Sequence, residues 1–196
     1  MIVNVKRVGI QTVVYGVARS FGGGRALQSL RGITHEAWRF VVLTTAVGSP
    51  LVPRPLRWRL MRLYGMDVAR CAVSPHVFVG SRQLTVGEGT FINTGCFLDT
   101  FARVTIGPRC SLGMQVAVVT STHADGTSDR RAGPLVGAPV TIGAGTWIGA
   151  RTLILPGVTI GPGCVIAAGS VVTVDCAEHT LYAGVPARKV RELPRH

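Results

Sequence analysis

The chain has 196 residues, which is enough for one domain with a modest extension. Hydrophobic residues make up 47% of it and 25 residues are glycine, a composition that can bury a core within a turn-rich fold. The net charge of +12 fits nucleic acid, an acidic membrane surface or an anionic cofactor as a partner. Few aromatic residues and the lack of a nucleic-acid-binding motif argue against nucleic acid.

Residues 1–66 form an extension without the repeat that follows, and we expect it to be mainly helical. Thr34 can cap a helix over residues 36–43, with His35 in its first turn, and residues 55–64 predict a second helix that Gly65 ends. The second helix has leucines on one side with arginines interspersed: Leu56, Leu60 and Leu63, with Arg57, Arg59 and Arg62. It caps the open end of a coil, packs a subunit contact with its charges solvated, or lies on an anionic membrane, and capping is the favoured interpretation.

No segment is predicted to span a membrane. Residues 40–53 are apolar but are broken by Gly48, Ser49 and Pro50, and a spanning helix needs about 20 apolar residues. The N-terminus lacks a clear signal-peptide cleavage site, so we interpret it as mature sequence. The five cysteines include no Cys-x-x-Cys pair, which favours buried thiols in a reducing, cytoplasmic compartment over disulfides or a metal site.

An aliphatic residue recurs every sixth position between residues 86 and 177, with one slip of two residues and one long gap. A period of six suits neither an α-helix nor a flat strand, but it suits a triangular coil with one short strand per side. Three sixes would make one turn, and turns would stack roughly 4.8 Å apart. We therefore predict an all-β parallel β-helix over residues 67–177, with residues 68–85 as an irregular first turn. The repeating residues are Val86, Ile92, Leu98, Ile106, Leu112, Val118, Ile142, Ile148, Ile154, Ile160, Ile166 and Val172.

Two further columns follow the same register. Glycine often comes directly after the aliphatic residue, as at Gly107 and Gly113, and we expect these glycines to adopt the positive φ of a tight corner. A small residue comes four places after each aliphatic one, and we expect it beside an inward corner. These small residues are Thr90, Cys96, Ala102, Cys110, Val116, Thr122, Thr146, Thr152, Val158, Cys164, Ser170 and Cys176.

Two segments are expected to leave the coil. Residues 124–139 interrupt the repeat between two turns and predict an ejected loop, and loops of this length in a compact fold are often functional. Residues 178–196 predict a tail that carries Arg188, Lys189, Arg191 and Arg195.

Four segments carry a resemblance to a known family: VTIGAGTWIGA at residues 140–150, LPGVTIGP at 155–162, AGSVVT at 168–173 and AGVPAR at 183–188. They resemble the hexapeptide-repeat acyltransferases, and within them the sugar O-acetyltransferases of the maltose, galactoside, nodulation and colanic acid types. The resemblance covers roughly residues 84–192. It implies a left-handed coil, a homotrimer with active sites between subunits, acetyl-CoA as the acyl donor and no metal.

Acyl transfer from a thioester to a hydroxyl needs a base for the hydroxyl proton and donors for the developing oxyanion. Histidine is the natural base near neutral pH. Of the five histidines only His123 ends a regular turn directly before the ejected loop, and the run Thr120-Ser-Thr-His123 resembles the catalytic histidine site of the family. The resemblance implies that His123 deprotonates an acceptor hydroxyl, which attacks the acetyl carbonyl directly.

Polar residues replace glycine after the aliphatic position at Asn93 and Asp99. Either residue can simply form a turn at a corner. The segment FINTGC at residues 91–96 also resembles the family's acceptor-binding segment, which implies that Asn93 contacts the acceptor. Asp99 is the expected acidic partner, although its offset differs by one residue from the maltose-type pattern.

The resemblance further implies a groove for the pantetheine arm of the donor between neighbouring subunits. Trp147, Gly149 and Ala150 would line one wall, and a backbone N–H near Ala150 would face the thioester oxygen. The other groove residues are Ala168 and Thr173, with Arg188 near the nucleotide. For Ala150 and Ala168, plain packing of the coil explains the residue type equally well. Many relatives have a basic residue where this chain has Val174, so Arg188, Lys189 or Arg191 would have to replace one phosphate contact.

Other functions stay open. An antibiotic or an amine could be the acceptor in place of a sugar, and the acyl group could be longer than acetyl. A γ-type carbonic anhydrase uses the same coil but needs three histidines that converge on zinc, and the regular turns contain only His123. A coil that only assembles or binds would neither bind coenzyme A nor depend on His123.

Overall fold

The computed structural model describes residue 45 and residues 47–195, and most of these residues form a parallel coil. The coil passes through three sheets in turn. Sheet A contains β1 (Asp67–Val68), β4 (Leu84–Val86), β7 (Val104–Ile106), β12 (Val140–Ile142) and β15 (Thr159–Ile160). Sheet B contains β2 (Ala72–Val73), β5 (Phe91–Ile92), β8 (Ser111–Leu112), β13 (Trp147–Ile148), β16 (Val165–Ile166), β18 (Thr180–Gly184) and β19 (Ala187–Glu192). Sheet C contains β3 (Phe78–Val79), β6 (Phe97–Leu98), β9 (Ala117–Val118), β14 (Leu153–Ile154) and β17 (Val171–Val172).

The predicted β-helix is confirmed, and its first turn is more regular than expected. Residues 67–79 pair in parallel with the next turn, with Val68 opposite Val86 and Val79 opposite Leu98. We call the connections the A–B, B–C and C–A corners, after the sheets that they join.

The core of the coil consists of three inward columns, one per sheet. Each of the strands β1 to β9 and β12 to β17 is two or three residues long, so successive turns place one aliphatic side chain above another. In sheet A, for example, Ile106 pairs with Ile142, and Ile142 pairs with Ile160. These side chains are essentially fully buried. Each contributes about 1.5–3 kcal/mol by leaving water, which explains why the six-residue period dominates the sequence.

The small residues beside the corners are mostly buried as predicted, and their polar atoms bind the adjacent turn. The hydroxyl of Thr90 donates to the carbonyl oxygen of Gly107 at 2.8 Å. Two members of the predicted column are wrong, because Ala102 is only half-buried and Thr122 is exposed. Thr100 and Thr120 take the buried positions there, since the chain leaves the six-residue register directly after sheet C.

The glycines that follow the inward residues have a different function from the predicted one, because their φ angles are not positive. A Cβ on Gly107 would lie 2.7 Å from the backbone nitrogen of Ala144, and a Cβ on Gly113 would lie 2.6 Å from that of Ala150. These positions need glycine because successive turns approach so closely. Positive φ occurs two positions further along, as at Gly145.

The ejected segment is a β-hairpin rather than an irregular loop. Strand β10 (Ser121–Asp125) pairs antiparallel with β11 (Ala132–Gly137), with an irregularity between His123 and Asp125. The regular coil is therefore interrupted after Val118 and resumes at Val140, and His123 lies on the hairpin instead of at the end of a turn.

The prediction that residues 178–196 leave the coil is also wrong. Strand β18 pairs in parallel with β16, and β19 returns antiparallel to β18. Tyr182 extends the inward column of sheet B and accepts a hydrogen bond from the Ala177 N–H at 2.9 Å through its hydroxyl. The segment therefore continues sheet B and ends it with an antiparallel strand.

Helix α1 (Arg54–Leu63) lies where the second helix was predicted and packs against β1 and β2, at the N-terminal end of the coil. Its buried residues are Arg57 and Met61, whereas Leu63 is 86% exposed. The helix therefore packs on the coil through Arg57 and Met61, and not through the side that carries Leu56 and Leu63. The expectations for Thr34, His35 and residues 36–43 lie outside the described residues. Within residues 45 and 47–195, no helix combines the length and apolar character needed to cross a membrane.

Candidate active site

His123 projects from the first strand of the hairpin with an exposed side chain. Its Nδ1 lies 2.7 Å from the carbonyl oxygen of Gly133 on the facing strand. A carbonyl oxygen can only accept a hydrogen bond, so Nδ1 carries the proton and Nε2 of the neutral imidazole keeps its lone pair. The hairpin thus fixes the tautomer that a general base needs.

The carboxylate of Asp99 fastens the start of the hairpin to the C–A corner. Its Oδ2 accepts hydrogen bonds from the N–H of Thr120 at 3.0 Å and from the N–H and hydroxyl of Ser121 at 2.9 and 2.6 Å. Its Oδ1 accepts from the N–H of Phe101 at 3.1 Å. Burial tends to raise the pKa of Asp99, but these hydrogen bonds outweigh it and the pKa is lowered.

Close backbone approaches at two glycines set the position of the hairpin. A Cβ on Gly133 would lie 2.7 Å from the carbonyl oxygen of Ala124, and a Cβ on Gly137 would lie 2.5 Å from the ring of Phe101. Because Gly133 has no side chain, the two strands approach closely enough for its carbonyl oxygen to contact the imidazole of His123.

A groove of about 490 Å³ runs along the B–C corner across three turns of the coil. Its lining residues are Met114, Gln115, Ala150, Arg151, Ala168 and Gly169. The alanines keep the groove wide, because their side chains stop at Cβ. The backbone N–H of Ala150 has no acceptor among the described residues, so it is available to a bound oxygen atom.

Gln115 and Arg151 form the polar edge of this groove. The Nε of Arg151 donates to the Oε1 of Gln115 at 2.9 Å. Both residues have positive φ, 58° for each, at a corner position that is glycine in the adjacent turns, at Gly95 and Gly169. Left-handed backbone costs a non-glycine residue roughly 1–2 kcal/mol, so both side chains occupy positions where glycine would fold more easily.

No group of three potential metal ligands exists among the described residues. The cysteines are buried and free, and burial raises the pKa of Cys96 to about 11 and that of Cys176 to about 12. Thiols with such pKa values stay protonated at neutral pH and are poor nucleophiles.

The chain is similar to known transferases in sequence and in structure. The family described as bacterial transferase hexapeptide (six repeats) matches residues 139–173. Nodulation protein L of Rhizobium meliloti (strain 1021) is 42% identical over 60 residues, which is 31% of this chain and only 33% of that protein. A Dictyostelium discoideum protein assigned as an acetyltransferase is 37% identical over 134 residues, 68% of this chain and 70% of that protein.

A crystal structure of a hexapeptide-repeat acetyltransferase from Vibrio cholerae, complexed with acetyl coenzyme A, is 30% identical with a TM-score of 0.72 and covers 90% of this chain and 94% of its own. This chain belongs to the hexapeptide-repeat acetyltransferases. A maltose O-acetyltransferase from Clostridium difficile 630 is 29% identical with a TM-score of 0.75, over 83% of this chain and 88% of that one.

The single chain of this hexapeptide-repeat acetyltransferase brings only some of the predicted site residues together. Asp99 and His123 belong to the C–A corner, and Thr173 follows sheet C at the same corner. Asn93 lies at the B–C corner with the groove, and its Oδ1 accepts a hydrogen bond from the N–H of Thr94 at 2.8 Å. Gly149, Ala150 and Ala168 also lie at the B–C corner, Trp147 is exposed on the outer side of sheet B, and Arg188 is exposed on β19.

Sequence reasoning missed Gly133, Gln115 and Arg151. Gly133 acts across the hairpin, and its pairing with the strand of His123 has no signature in the sequence. The sequence does mark Gln115 and Arg151, because each stands three positions after an inward residue, where the adjacent turns of this acetyltransferase have glycine.

Proposed function

We propose that this acetyltransferase transfers an acetyl group from acetyl-CoA to a hydroxyl of a sugar or sugar-containing acceptor, with His123 as the general base. The similar V. cholerae structure contains acetyl coenzyme A, and the similar C. difficile structure is a maltose O-acetyltransferase. The observation that carries the proposal is the hydrogen bond from His123 Nδ1 to Gly133, because it leaves Nε2 ready to accept a proton.

In the proposed reaction, the acceptor hydroxyl gives its proton to Nε2 of His123 while its oxygen attacks the carbonyl carbon of the thioester. The N–H of Ala150 stabilises the negative charge that develops on the carbonyl oxygen. The C–S bond then breaks, and the imidazolium returns the proton to the departing thiolate. A base of this kind contributes about 10²- to 10⁴-fold to the rate.

Asn93 and Asp99 keep their proposed place beside the acceptor, but they differ in what they can offer. Both oxygens of Asp99 already accept hydrogen bonds from the chain, so its main contribution is to position the hairpin. Asn93 uses its oxygen on the N–H of Thr94, and its amide nitrogen is left for a sugar hydroxyl.

The groove at the B–C corner suits the pantetheine arm of coenzyme A, with Gly149, Ala150 and Ala168 allowing close approach. Trp147 would extend one wall, and Thr173, which lies at the C–A corner, would reach the groove from a neighbouring copy. Arg188 and its neighbours on β19 would bind the phosphates near the nucleotide. They follow Gly184, whose N–H donates to the hydroxyl of Ser170 at the B–C corner at 3.2 Å.

We also propose a homotrimer with sites shared between subunits, and the same geometry supports it. His123 and the groove start from different corners of the coil, so a site that uses both needs the groove of a second copy. The outer side of sheet C offers an apolar surface for such contact, and its Phe78 and Phe97 rings stack with centroids 4.7 Å apart. Its other outward residues are Ala117, Leu153 and Val171. Five free buried cysteines support a reducing, cytoplasmic location.

A thiol-release assay with acetyl-CoA against sugars, glycosides and amine-containing antibiotics tests the chemistry. We expect turnover with a sugar hydroxyl and a loss of about 10²- to 10⁴-fold in His123→Ala. His76→Ala is the matched control, since His76 is also exposed but lies far along the coil from the hairpin. Equal turnover by wild type and His123→Ala would overturn the assigned base, and turnover with amines alone would overturn the acceptor class.

Coenzyme A binding tests the groove separately from the chemistry. Coenzyme A should raise the melting temperature of the wild type and of His123→Ala. Ala150→Leu should abolish that rise, whereas Ala144→Leu, at the equivalent place of the A–B corner, should keep it. If coenzyme A shifts neither the wild type nor Ala144→Leu, the chain is a non-catalytic coil.

A further inference from the structure

The side of helix α1 that faces away from the coil is apolar and basic at once. Leu51, just before the helix, is 90% exposed, and Leu56 and Leu63 are 46% and 86% exposed. Arg59 and Arg62 lie among them and are exposed as well. We call these five residues the outer face of α1. The outer face does not pack against the coil, because α1 contacts the coil through Arg57 and Met61.

The segment that carries the outer face has charge of one sign. Residues 47–66 contain four arginines and no aspartate or glutamate, and the nearest acidic residue along the chain is Asp67 at the start of β1. Arg59 donates to the Pro55 carbonyl oxygen at 2.8 Å and lies over the Trp58 ring at 4.8 Å, so it has no carboxylate partner among the described residues. Arg54 lies 5.8 Å from the centre of the Phe91 ring.

The whole chain shows the same asymmetry. Ten of its 21 basic residues but only one of its nine acidic residues fall within residues 1–66. The rest of the chain has 11 basic and eight acidic residues, so most of the net charge of +12 belongs to the N-terminal third. The proposed reaction does not account for this excess, because the donor phosphates would meet Arg188 at the opposite end of the coil.

We propose that the N-terminal end of the coil binds the surface of an anionic membrane through the outer face of α1. Exposed leucines can enter the apolar edge of a bilayer while arginines on the same face bind lipid phosphates. The intermixing of leucine and arginine decides for lipid over nucleic acid, since a phosphate backbone would attract the arginines but leave three leucines in water. The contact is peripheral and reversible.

The inference goes beyond the proposed acetyl transfer and does not depend on it. It has one consequence for that reaction, because a coil held at its N-terminal end would act beside the membrane. Acceptors attached to lipid would then reach the active site at a higher local concentration than free sugars.

Cosedimentation of the full chain with vesicles tests the inference. The probes are vesicles of phosphatidylcholine alone and of phosphatidylcholine with about 30% phosphatidylglycerol, each at low and high salt. We expect binding to the anionic vesicles, with salt weakening it. The double variant Arg59→Gln/Arg62→Gln should bind about 25-fold more weakly, because each arginine near an anionic surface contributes about fivefold.

The matched control is Arg130→Gln/Arg131→Gln, which removes the same charge from the exposed tip of the hairpin. It should leave vesicle binding unchanged, whereas Leu56→Ser/Leu63→Ser should weaken it. Equal binding to neutral and anionic vesicles, or an equal loss in the control, would overturn the inference. So would leucine variants that lower the melting temperature or the oligomeric state, because the outer face would then be covered by protein.

Discussion

The carboxylate of Asp99 binds Ser121 twice, accepting a hydrogen bond from its N–H at 2.9 Å and another from its hydroxyl at 2.6 Å. Ser121 is the first residue of the hairpin and lies two residues before His123. Asp99 therefore fixes the point at which the chain leaves the coil. Its carboxylate links the stability of the fold to the position of the proposed base.

The first prediction concerns the pH dependence of this link. Hydrogen bonds from the Ser121 hydroxyl and three N–H groups outweigh burial and lower the pKa of Asp99 below its ordinary value. The unfolded chain therefore binds a proton more readily, so the carboxylate stabilises the fold above its unfolded pKa of about 3.9. This stability is lost as the pH falls through the lower folded pKa. We expect Asp99→Asn to melt below the wild type at pH 7, with the difference shrinking below about pH 4.

Thermal melting of both proteins between pH 2.5 and pH 7 measures this difference. Asp175→Asn is the control for the loss of one carboxylate, because the Asp175 side chain is exposed and accepts a single hydrogen bond, from the N–H of Thr159. A melting difference between wild type and Asp99→Asn that stays constant across the range would contradict the assigned role of Asp99.

The second prediction concerns Gly133 and the tautomer of His123. In Gly133→Ala the new Cβ would lie 2.7 Å from the carbonyl oxygen of Ala124, so the facing strands must separate. The Gly133 carbonyl would then move away from Nδ1, and the imidazole would lose its fixed orientation. We expect kcat to fall by about tenfold or more while coenzyme A binding stays unchanged.

Leu135→Ala controls for a change on the same strand, since Leu135 pairs with His123 but its side chain is exposed. It should keep kcat within about twofold, because a surface substitution changes little. If Gly133→Ala and Leu135→Ala had the same kcat, the hydrogen bond at Nδ1 would have no part in catalysis.

The third prediction separates the two kinds of glycine in the coil. Gly107→Ala would place a Cβ 2.7 Å from the backbone nitrogen of Ala144, so the two turns must move apart. Gly145 has φ of 68°, and a Cβ there would meet no described atom within 4 Å. Gly145→Ala should therefore cost only the left-handed strain of about 1–2 kcal/mol, and Gly107→Ala should cost more.

Unfolding by urea ranks these two variants, provided that both transitions are cooperative. The larger loss of unfolding free energy in Gly107→Ala is the expected result. The reverse order would mean that the turns adjust easily and that positive φ is the main reason for glycine in the coil.

The sequence predicted the turns of the coil because burial of Ile142, Ile148 and their equivalents repeats with one fixed period. It failed where the chain departs from that period. The repeat slips by two residues after Leu98, and the chain leaves the coil after Val118. At these two corners the buried residues are therefore Thr100 and Thr120, and not the predicted Ala102 and Thr122. The sequence pattern shows that glycine is required after the inward residues. The reason is the short distance between successive turns, which cannot be read from the local sequence.

Helix α1 shows a second limit of sequence reasoning. Leucine normally faces the core, yet Leu56 and Leu63 are exposed on this helix. The buried position belongs to Arg57, because its guanidinium can satisfy carbonyl oxygens that a leucine would leave unpaired. For the site, His123 has a motif, but the partner of its Nδ1 becomes identifiable only from the pairing of β10 with β11.

The fourth prediction concerns Arg57, which is 1% exposed and has no carboxylate among its hydrogen-bond partners in the described residues. Its guanidinium donates to three backbone carbonyl oxygens: Nη1 to that of Val47 at 2.8 Å, and Nη2 to those of Ser49 and Val52, each at 2.6 Å. The planar fork of arginine reaches all three, whereas the single ammonium of lysine cannot match that geometry. Arg57→Lys should therefore leave buried carbonyls unpaired and cost about 2–3 kcal/mol.

The matched variant is Arg62→Lys, because Arg62 is exposed on the same helix and its replacement should change the unfolding free energy by less than about 0.5 kcal/mol. For a chain of this size, a loss of 2–3 kcal/mol lowers the melting temperature by roughly 4–12 °C. The segment before α1 should also become more accessible, which limited proteolysis at residues 47–52 can measure. Equal melting temperatures for Arg57→Lys and Arg62→Lys would show that water replaces the guanidinium without cost, and Arg57 would then not hold this end of the coil together.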